Sequence, residues 1–169
     1  AWIAGLDAAL RAGLRRVQFR MPGTGLARRR HLLANALLRC QAAGAQLLVN
    51  GDPALASEHG VGLHLRAAQL GEHRERPLPA DLPLSASCHD EAELAQAQAL
   101  GCDFVIVGPV HPTPTHPEHG GISWARFERL RALTALPMYA IGGLARDDIA
   151  EARQHGAQGV AAIRGLWGG

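Results

Sequence analysis

A proline-rich loop follows the most apolar stretch of this chain and carries side chains that could bind a polar ligand. Residues 104–108 are apolar or small, which predicts a buried strand. The next residues are Pro109-Val110-His111-Pro112-Thr113-Pro114-Thr115-His116-Pro117, and their prolines exclude a helix. Ligands of α/β proteins bind at the carboxyl ends of parallel strands. We therefore expect Thr113, Thr115 and His116 to lie at a binding site.

Two polar side chains near the start of the chain share one face of a predicted strand, residues 17–20. Gln18 and Arg20 alternate with Val17 and Phe19, so one face of that strand is polar. If this face points into a barrel, a buried Arg20 requires an anion or a carboxylate as its partner. From the residue pattern alone, a bound anionic ligand and a carboxylate of the protein itself are equally good candidates for this partner.

Other predicted strands also end in groups that could bind a ligand. Asn50 ends one of them, and Ser87 and His89 lie at the end of another. A Ser87-His89-Asp90 triad is set aside, because no nucleophile-elbow pattern surrounds the serine. His64 stands alone on an apolar strand, which is more typical of a hydrogen-bonded core residue than of a ligand-binding one.

The last two predicted strands end in glycine-containing turns that suit a phosphate. Gly142 and Gly143 let backbone amides approach an anion without a Cβ atom in the way. Ile163 and Arg164 end the final strand, and a guanidinium there would add a fixed fork of donors. Loops after the last two strands of a barrel commonly bind phosphate, whereas the alternative is an ordinary tight turn.

A metal site is not predicted from the histidines or the cysteines. His111, His116 and His119 are spaced by five and three residues, which matches no standard ligand pattern. The three cysteines are widely separated, which argues against both a zinc motif and a disulfide framework. We expect exposed loop histidines and a reduced, cytoplasmic protein.

Strand-like and helical patterns alternate along the whole chain and predict parallel strands with right-handed crossovers. Glycines are placed to close helices at 13, 44, 60, 101 and 156, and Asp52, Asp90 and Ser123 are placed to begin them. The predicted strands are 17–20, 46–50, 62–65, 84–88, 104–108, 138–143 and 159–164, preceded by a helix over 3–12. We predict a single domain over 1–169 with a TIM (β/α)8 barrel fold whose first strand is missing from this chain. We therefore expect the chain to be a fragment of a longer protein. The alternative is an open doubly wound sheet.

Composition narrows the class of partner. The 169 residues are 47% hydrophobic, 4% aromatic and carry a formal net charge of +2, so neither nucleic acid nor a membrane is expected as a partner.

With these features in place, the chain resembles the thiamine phosphate synthase / TenI superfamily over nearly its whole length. In detail it looks most like the C-terminal domain of bacterial proteins that fuse a Nudix hydrolase to this barrel. The segments that carry the resemblance are Val17-Gln18-Phe19-Arg20, Leu48-Val49-Asn50, Gly62-Leu63-His64-Leu65, Ser87-Cys88-His89, the 108–115 loop and Ala140-Ile141-Gly142-Gly143-Leu144.

The resemblance implies an activity and its site. The family joins a hydroxymethylpyrimidine diphosphate to a thiazole phosphate, releasing pyrophosphate, and uses Mg²⁺. It implies a reacting end formed by Gln18, Arg20, Asn50 and Ser87, to which we add His89 as a candidate. It implies a thiazole-phosphate end formed by Thr113, Thr115, Gly142, Gly143 and Ile163, to which we add His116 and Arg164 as candidates. A phosphorylated small molecule is then the ligand, an N-terminal Nudix domain is an expected partner, and a homodimer stays open.

Several departures from the family pattern fall at the reacting end. Family members carry a lysine where Pro22 stands, an aspartate where Gly51 stands, and a second metal-binding aspartate near Gln69. A lysine corresponds to His116 and a serine to Arg164. Mg²⁺ prefers carboxylate oxygens, so its ligands are largely missing and the synthase chemistry is in doubt. The alternatives are a non-catalytic ligand-sensing domain and a TenI-like tautomerase using His64, His89 or His111, since Pro109 stands where TenI carries its histidine.

Overall fold

Seven parallel strands form one sheet in the computed structural model, which describes residues 2–112, 121–163 and 165–167. The strands follow one another across the sheet in chain order. They are β1 Arg16–Phe19, β2 Gln46–Asn50, β3 Gly62–Leu65, β4 Leu84–Cys88, β5 Phe104–Val107, β6 Met138–Ile141 and β7 Gly159–Ala161.

One helix precedes β1, and the others connect successive strands and cover the outer face of the sheet. They are α1 Trp2–Arg11, α2 Leu26–Ala42, α3 Pro53–His59, α4 Ala67–Leu70, α5 Glu91–Ala99, α6 Ser123–Arg131 and α7 Ile149–Gln154, with a 3₁₀ turn at Arg146–Asp148. None of the described helices combines the length and apolarity that crossing a bilayer requires.

The sheet is curled into a half-barrel. Its sequential strand order has no reversal point, so the doubly wound alternative is wrong. Arg16 on β1 demonstrates the curl, because its guanidinium carbon lies 5.0 Å from the ring centre of Phe104 on β5 and 5.3 Å from that of Tyr139 on β6. Strands that are four and five positions apart in the sheet thus meet across its inner face.

Local signals placed most helix ends correctly. The side chain of Asp52 accepts a hydrogen bond from the amide of Leu55 at 3.0 Å, and that of Asp90 accepts from Glu93 at 2.9 Å. The five glycines predicted to close helices all have positive φ. The prediction for Ser123 is wrong, because Ser123 is the first residue of α6 and its amide donates to the carbonyl of Val110. A contact with a distant loop, rather than a cap, fixes its backbone.

Several predicted strands are longer than the observed ones. β1 begins at Arg16 and ends before Arg20, while β6 ends at Ile141 because Gly142 and Gly143 have φ of 107° and 68°. β5 ends at Val107 and β7 at Ala161. The core lies between the sheet and the helices, and its largest fully buried side chains include Phe19, Leu63, Leu65, Phe127 and Met138.

Candidate functional site

Asn50 and Ser87 lie at the carboxyl edge of the sheet, two strands apart, and His64 on β3 stands between them. Asn50 is the last residue of β2 and is half-buried, and it pairs in register with His64. Ser87 is half-buried near the end of β4. The structure therefore brings these two predicted site residues to the same edge.

His64 links two serine hydroxyls inside the sheet. Its Nδ1 lies 2.8 Å from Ser85 Oγ and its Nε2 lies 2.8 Å from Ser87 Oγ. Only 2% of His64 is exposed, and burial lowers its pKa to about 4. The imidazole is therefore neutral near pH 7, with one nitrogen donating and the other accepting. The prediction of a hydrogen-bonded core histidine is confirmed, and the partner of Ser87 is His64 on the adjacent strand.

A second cluster lies directly beyond the ends of β2 and β3. The amide of Gly51 donates to the His64 carbonyl at 2.8 Å, and the buried Gln69 donates from Nε2 to the Gly51 carbonyl at 3.2 Å. Gln69 Oε1 accepts from Arg66, from its amide at 3.2 Å and from Nε at 3.0 Å. A glycine and a neutral amide thus stand at the two positions where the resemblance implies metal-binding acids, and Arg66 packs beside the glycine.

The described residues at this edge do not fit a Mg²⁺ site. Asp52, the acid next to Gly51, already caps α3 and pairs with Arg29 Nη2 at 2.9 Å. No group of three histidines, cysteines or acids that could hold a metal ion occurs in the described part of the chain. A hard cation needs several anionic oxygens, and here a guanidinium lies beside Gly51 instead.

The polar face of β1 is not buried as predicted. Val17 and Phe19 are the buried pair, because they lie beneath the helices, whereas Gln18 and Arg20 are exposed. The expectation that Arg20 is buried is therefore wrong, whereas the role of Gln18 and Arg20 in binding a ligand stays a prediction. The arginine that crosses the inner face is Arg16, which also borders a cavity of about 250 Å³ at the amino ends of the strands, away from the carboxyl edge.

His89 lies directly after β4, and its predicted role at the site stays a prediction. Its side chain is exposed, and its Nδ1 lies 2.9 Å from Glu93 Oε2 while its amide donates to the same oxygen at 2.6 Å. Both contacts are local, one turn into α5.

Gly142 and Gly143, the two glycines after β6, differ in their surroundings. A Cβ atom on Gly142 would lie 2.5 Å from the Cα of Pro109 and 2.8 Å from the nitrogen of Val110. Gly142 is therefore required for close packing against the loop after β5, whereas Gly143 is exposed next to His111. A Cβ on Gly165 would lie 3.0 Å from the Cα of Ala145, so the turns after β6 and β7 are neighbours.

Ile163 is 69% exposed near these turns. Thr113, Thr115, His116 and Arg164 lie outside the described residues, so their predicted roles stay predictions. Arg66 was missed by sequence reasoning, although an arginine directly after an apolar strand at its carboxyl end was a usable signal.

The curled sheet of parallel strands in sequential order defines a domain of the β/α-barrel class. A profile of the family described as thiamine monophosphate synthase matches residues 2–166. This chain belongs to the thiamine phosphate synthase/TenI family, a family of thiamine biosynthesis.

Individual relatives agree with this assignment. The thiamine-phosphate synthase of Thioalkalivibrio sulfidiphilus is 34% identical over 95% of this chain and 78% of its own length. That of Chromobacterium violaceum is 37% identical, with the same two shares of the chains covered. The solved structure of a thiamine phosphate pyrophosphorylase from Pyrococcus furiosus superimposes with a TM-score of 0.80 at 19% identity, covering 96% of this chain and 79% of that one, which supports the fold.

Proposed function

We propose that this domain binds thiamine phosphate or its phosphorylated precursors at the carboxyl edge of the sheet and retains little synthase activity. The observation that carries the proposal is the pair Asn50 and Ser87 at this edge, with Ser87 held by the buried His64. These are groups that the family resemblance assigns to diphosphate contacts. Ligand-binding groups are thus retained where the metal-holding acids are replaced.

The expected loss of synthase activity follows from electrostatics. Departure of pyrophosphate leaves negative charge that must be stabilised in the transition state. Gly51 and Gln69 supply no carboxylate, and Asp52 is committed to Arg29 and to the cap of α3. Removing one such stabilising group costs about 10²–10³ in rate, and here more than one is absent.

Turnover and binding separate the two parts of this proposal. With both substrates and excess magnesium, we expect thiamine phosphate to form at no more than about one hundredth of the rate of an authentic synthase. The Chromobacterium violaceum relative serves as the matched enzyme. In calorimetry we expect thiamine phosphate to bind with a Kd of about micromolar order. Comparable rates would contradict the loss of activity, and absence of binding would contradict the proposed ligand.

The phosphate end of the ligand gives a further prediction. We expect Arg164→Ala to weaken the affinity for thiamine phosphate at least about tenfold, because a guanidinium forms charge-assisted bonds to phosphate. Arg164→Lys should retain part of the affinity. Calorimetric titration of the three proteins measures this, and an unchanged Kd for Arg164→Ala would remove Arg164 from the site.

Binding with little turnover suits a sensing domain attached to an enzyme, for which the resemblance suggests a Nudix hydrolase.

A tautomerase is the second candidate function, because His111 lies beside Gly143 and donates from its amide to the Gly142 carbonyl at 3.3 Å. Turnover of the thiazole carboxylate phosphate tautomer that is lost in His111→Ala or His89→Ala would favour that candidate. Turnover that survives both replacements would reject a role for these histidines.

A further inference from the structure

We propose that Arg66 is the cation that receives the anionic end of the ligand, so that a phosphate or diphosphate binds this domain without a divalent metal. This inference rests on the proposed function and names how its site recognises an anion.

The guanidinium of Arg66 is held in place by a buried side chain. Gln69 is 6% exposed, and its Oε1 accepts from both the Nε and the amide of Arg66. The other end of the same amide donates to the Gly51 carbonyl. Gln69 therefore ties the arginine to the turn after β2, which reduces the entropy lost when a ligand binds.

Gly51 and this position of Arg66 depend on each other. A Cβ atom on Gly51 would lie 3.1 Å from Arg66 Nε, 3.6 Å from its Cζ and 3.0 Å from Gln69 Oε1. The φ of Gly51 is also +65°, a value that side chains rarely adopt. A side chain at this position would therefore require Arg66 and Gln69 to shift, so the observed packing of the guanidinium goes together with glycine at position 51.

The positive charge of Arg66 is not neutralised by the described residues around it. Its terminal NH₂ groups form no hydrogen bond or ion pair with any residue that the structure describes. The nearby carboxylate of Asp52 is engaged by Arg29 and by the amide of Leu55. A planar guanidinium bonded through Nε still offers two terminal nitrogens, which suit two oxygens of one phosphoryl group.

The neighbours of Arg66 define the class of ligand. Asn50 directly precedes Gly51, and His64, which pairs with Asn50, holds Ser87. An amide and a hydroxyl thus accompany the cation at the carboxyl edge. This set suits a phosphate monoester or a diphosphate, whose negative charge the guanidinium partly offsets and whose remaining oxygens accept from the neutral donors.

Inorganic pyrophosphate is the probe for this inference. We expect its Kd in EDTA to lie within about twofold of its Kd in excess magnesium, and Arg66→Ala to weaken binding in EDTA at least about tenfold. Arg129→Ala removes an exposed arginine from α6 and is the matched control, with an unchanged Kd. Binding that requires magnesium, or that Arg66→Ala leaves unchanged, would overturn the inference.

A second variant changes the charge and not the shape. Gln69→Glu keeps the side-chain size but places a carboxylate against Arg66, and we expect it to weaken pyrophosphate binding in EDTA about tenfold. Wild-type affinity in this variant would also overturn the inference.

Titrating thiamine phosphate in parallel separates the two proposals. If thiamine phosphate binds the wild type and Arg66→Ala equally, the proposed function stands and Arg66 is excluded. If only pyrophosphate binds, and through Arg66, the anion site stands and the proposed ligand fails.

Discussion

Between pH 7 and pH 5 the wild-type protein is expected to lose about 2 kcal/mol more stability than its His64→Gln variant. Burial lowers the pKa of His64 from 6.5 to about 4, whereas the unfolded chain keeps the ordinary value. Between these two values the unfolded state binds a proton that the folded state does not. The contribution of His64 to the free energy of unfolding therefore falls as the pH falls from 6.5 to about 4, and it levels off below that pH.

Urea unfolding at pH 7, 6 and 5 measures this effect as the difference between wild type and His64→Gln. Ser85→Ala is the matched control, because it removes one partner of the imidazole but leaves the imidazole buried. We expect this control to be destabilised by about 1 kcal/mol at every pH and to keep the wild-type slope. If wild type and His64→Gln lose stability in parallel, the buried neutral histidine is contradicted.

Gly142→Ala is expected to lower the free energy of unfolding by about 2–6 kcal/mol, the sum of backbone strain and overpacking. Its φ of 107° disfavours any side chain, and the new Cβ would meet backbone atoms of Pro109 and Val110 at 2.5–2.8 Å. These are backbone atoms, so no rotamer change relieves the clash. The start of the loop after β5 would have to move to accommodate the new side chain.

Gly13→Ala isolates the strain from the clash. Gly13 has a φ of 94°, but a Cβ atom added to it would have no neighbour within 4 Å, so its replacement should cost only about 1–3 kcal/mol. Chemical denaturation of both variants gives the difference, and thiamine phosphate titration shows whether the loop has moved. Equal losses of stability, with unchanged ligand affinity, would mean that the turns after β5 and β6 are not tightly packed.

The sequence analysis succeeded where the signal is local. Asp52 before Pro53 and the glycine at 60 mark the two ends of α3, because caps and left-handed residues act within one helical turn. The failed expectation for Ser123 has the opposite cause, since a carbonyl in a distant loop holds its amide.

At the candidate site, residue types were easier to predict than partners. Asn50 and Ser87 do lie at the carboxyl edge, as expected for ends of parallel strands. That Ser87 hydrogen-bonds to His64, and that Arg66 packs beside Gly51, depends on contacts between separate strands and turns. Such contacts leave no periodic pattern in one sequence.

The sequence alone predicts the alternation of strands and helices, the family resemblance and the edge at which a ligand would bind. These features can be predicted because periodicity and capping are properties of short segments. The folded molecule was needed to show that β1 buries Val17 and Phe19 and leaves Arg20 exposed, that Gly142 is packed against a neighbouring loop, and that Arg66 is held beside Gly51. The physical reason is that burial, close packing and charge compensation are set by residues far apart in the chain, and these meet only when the sheet curls.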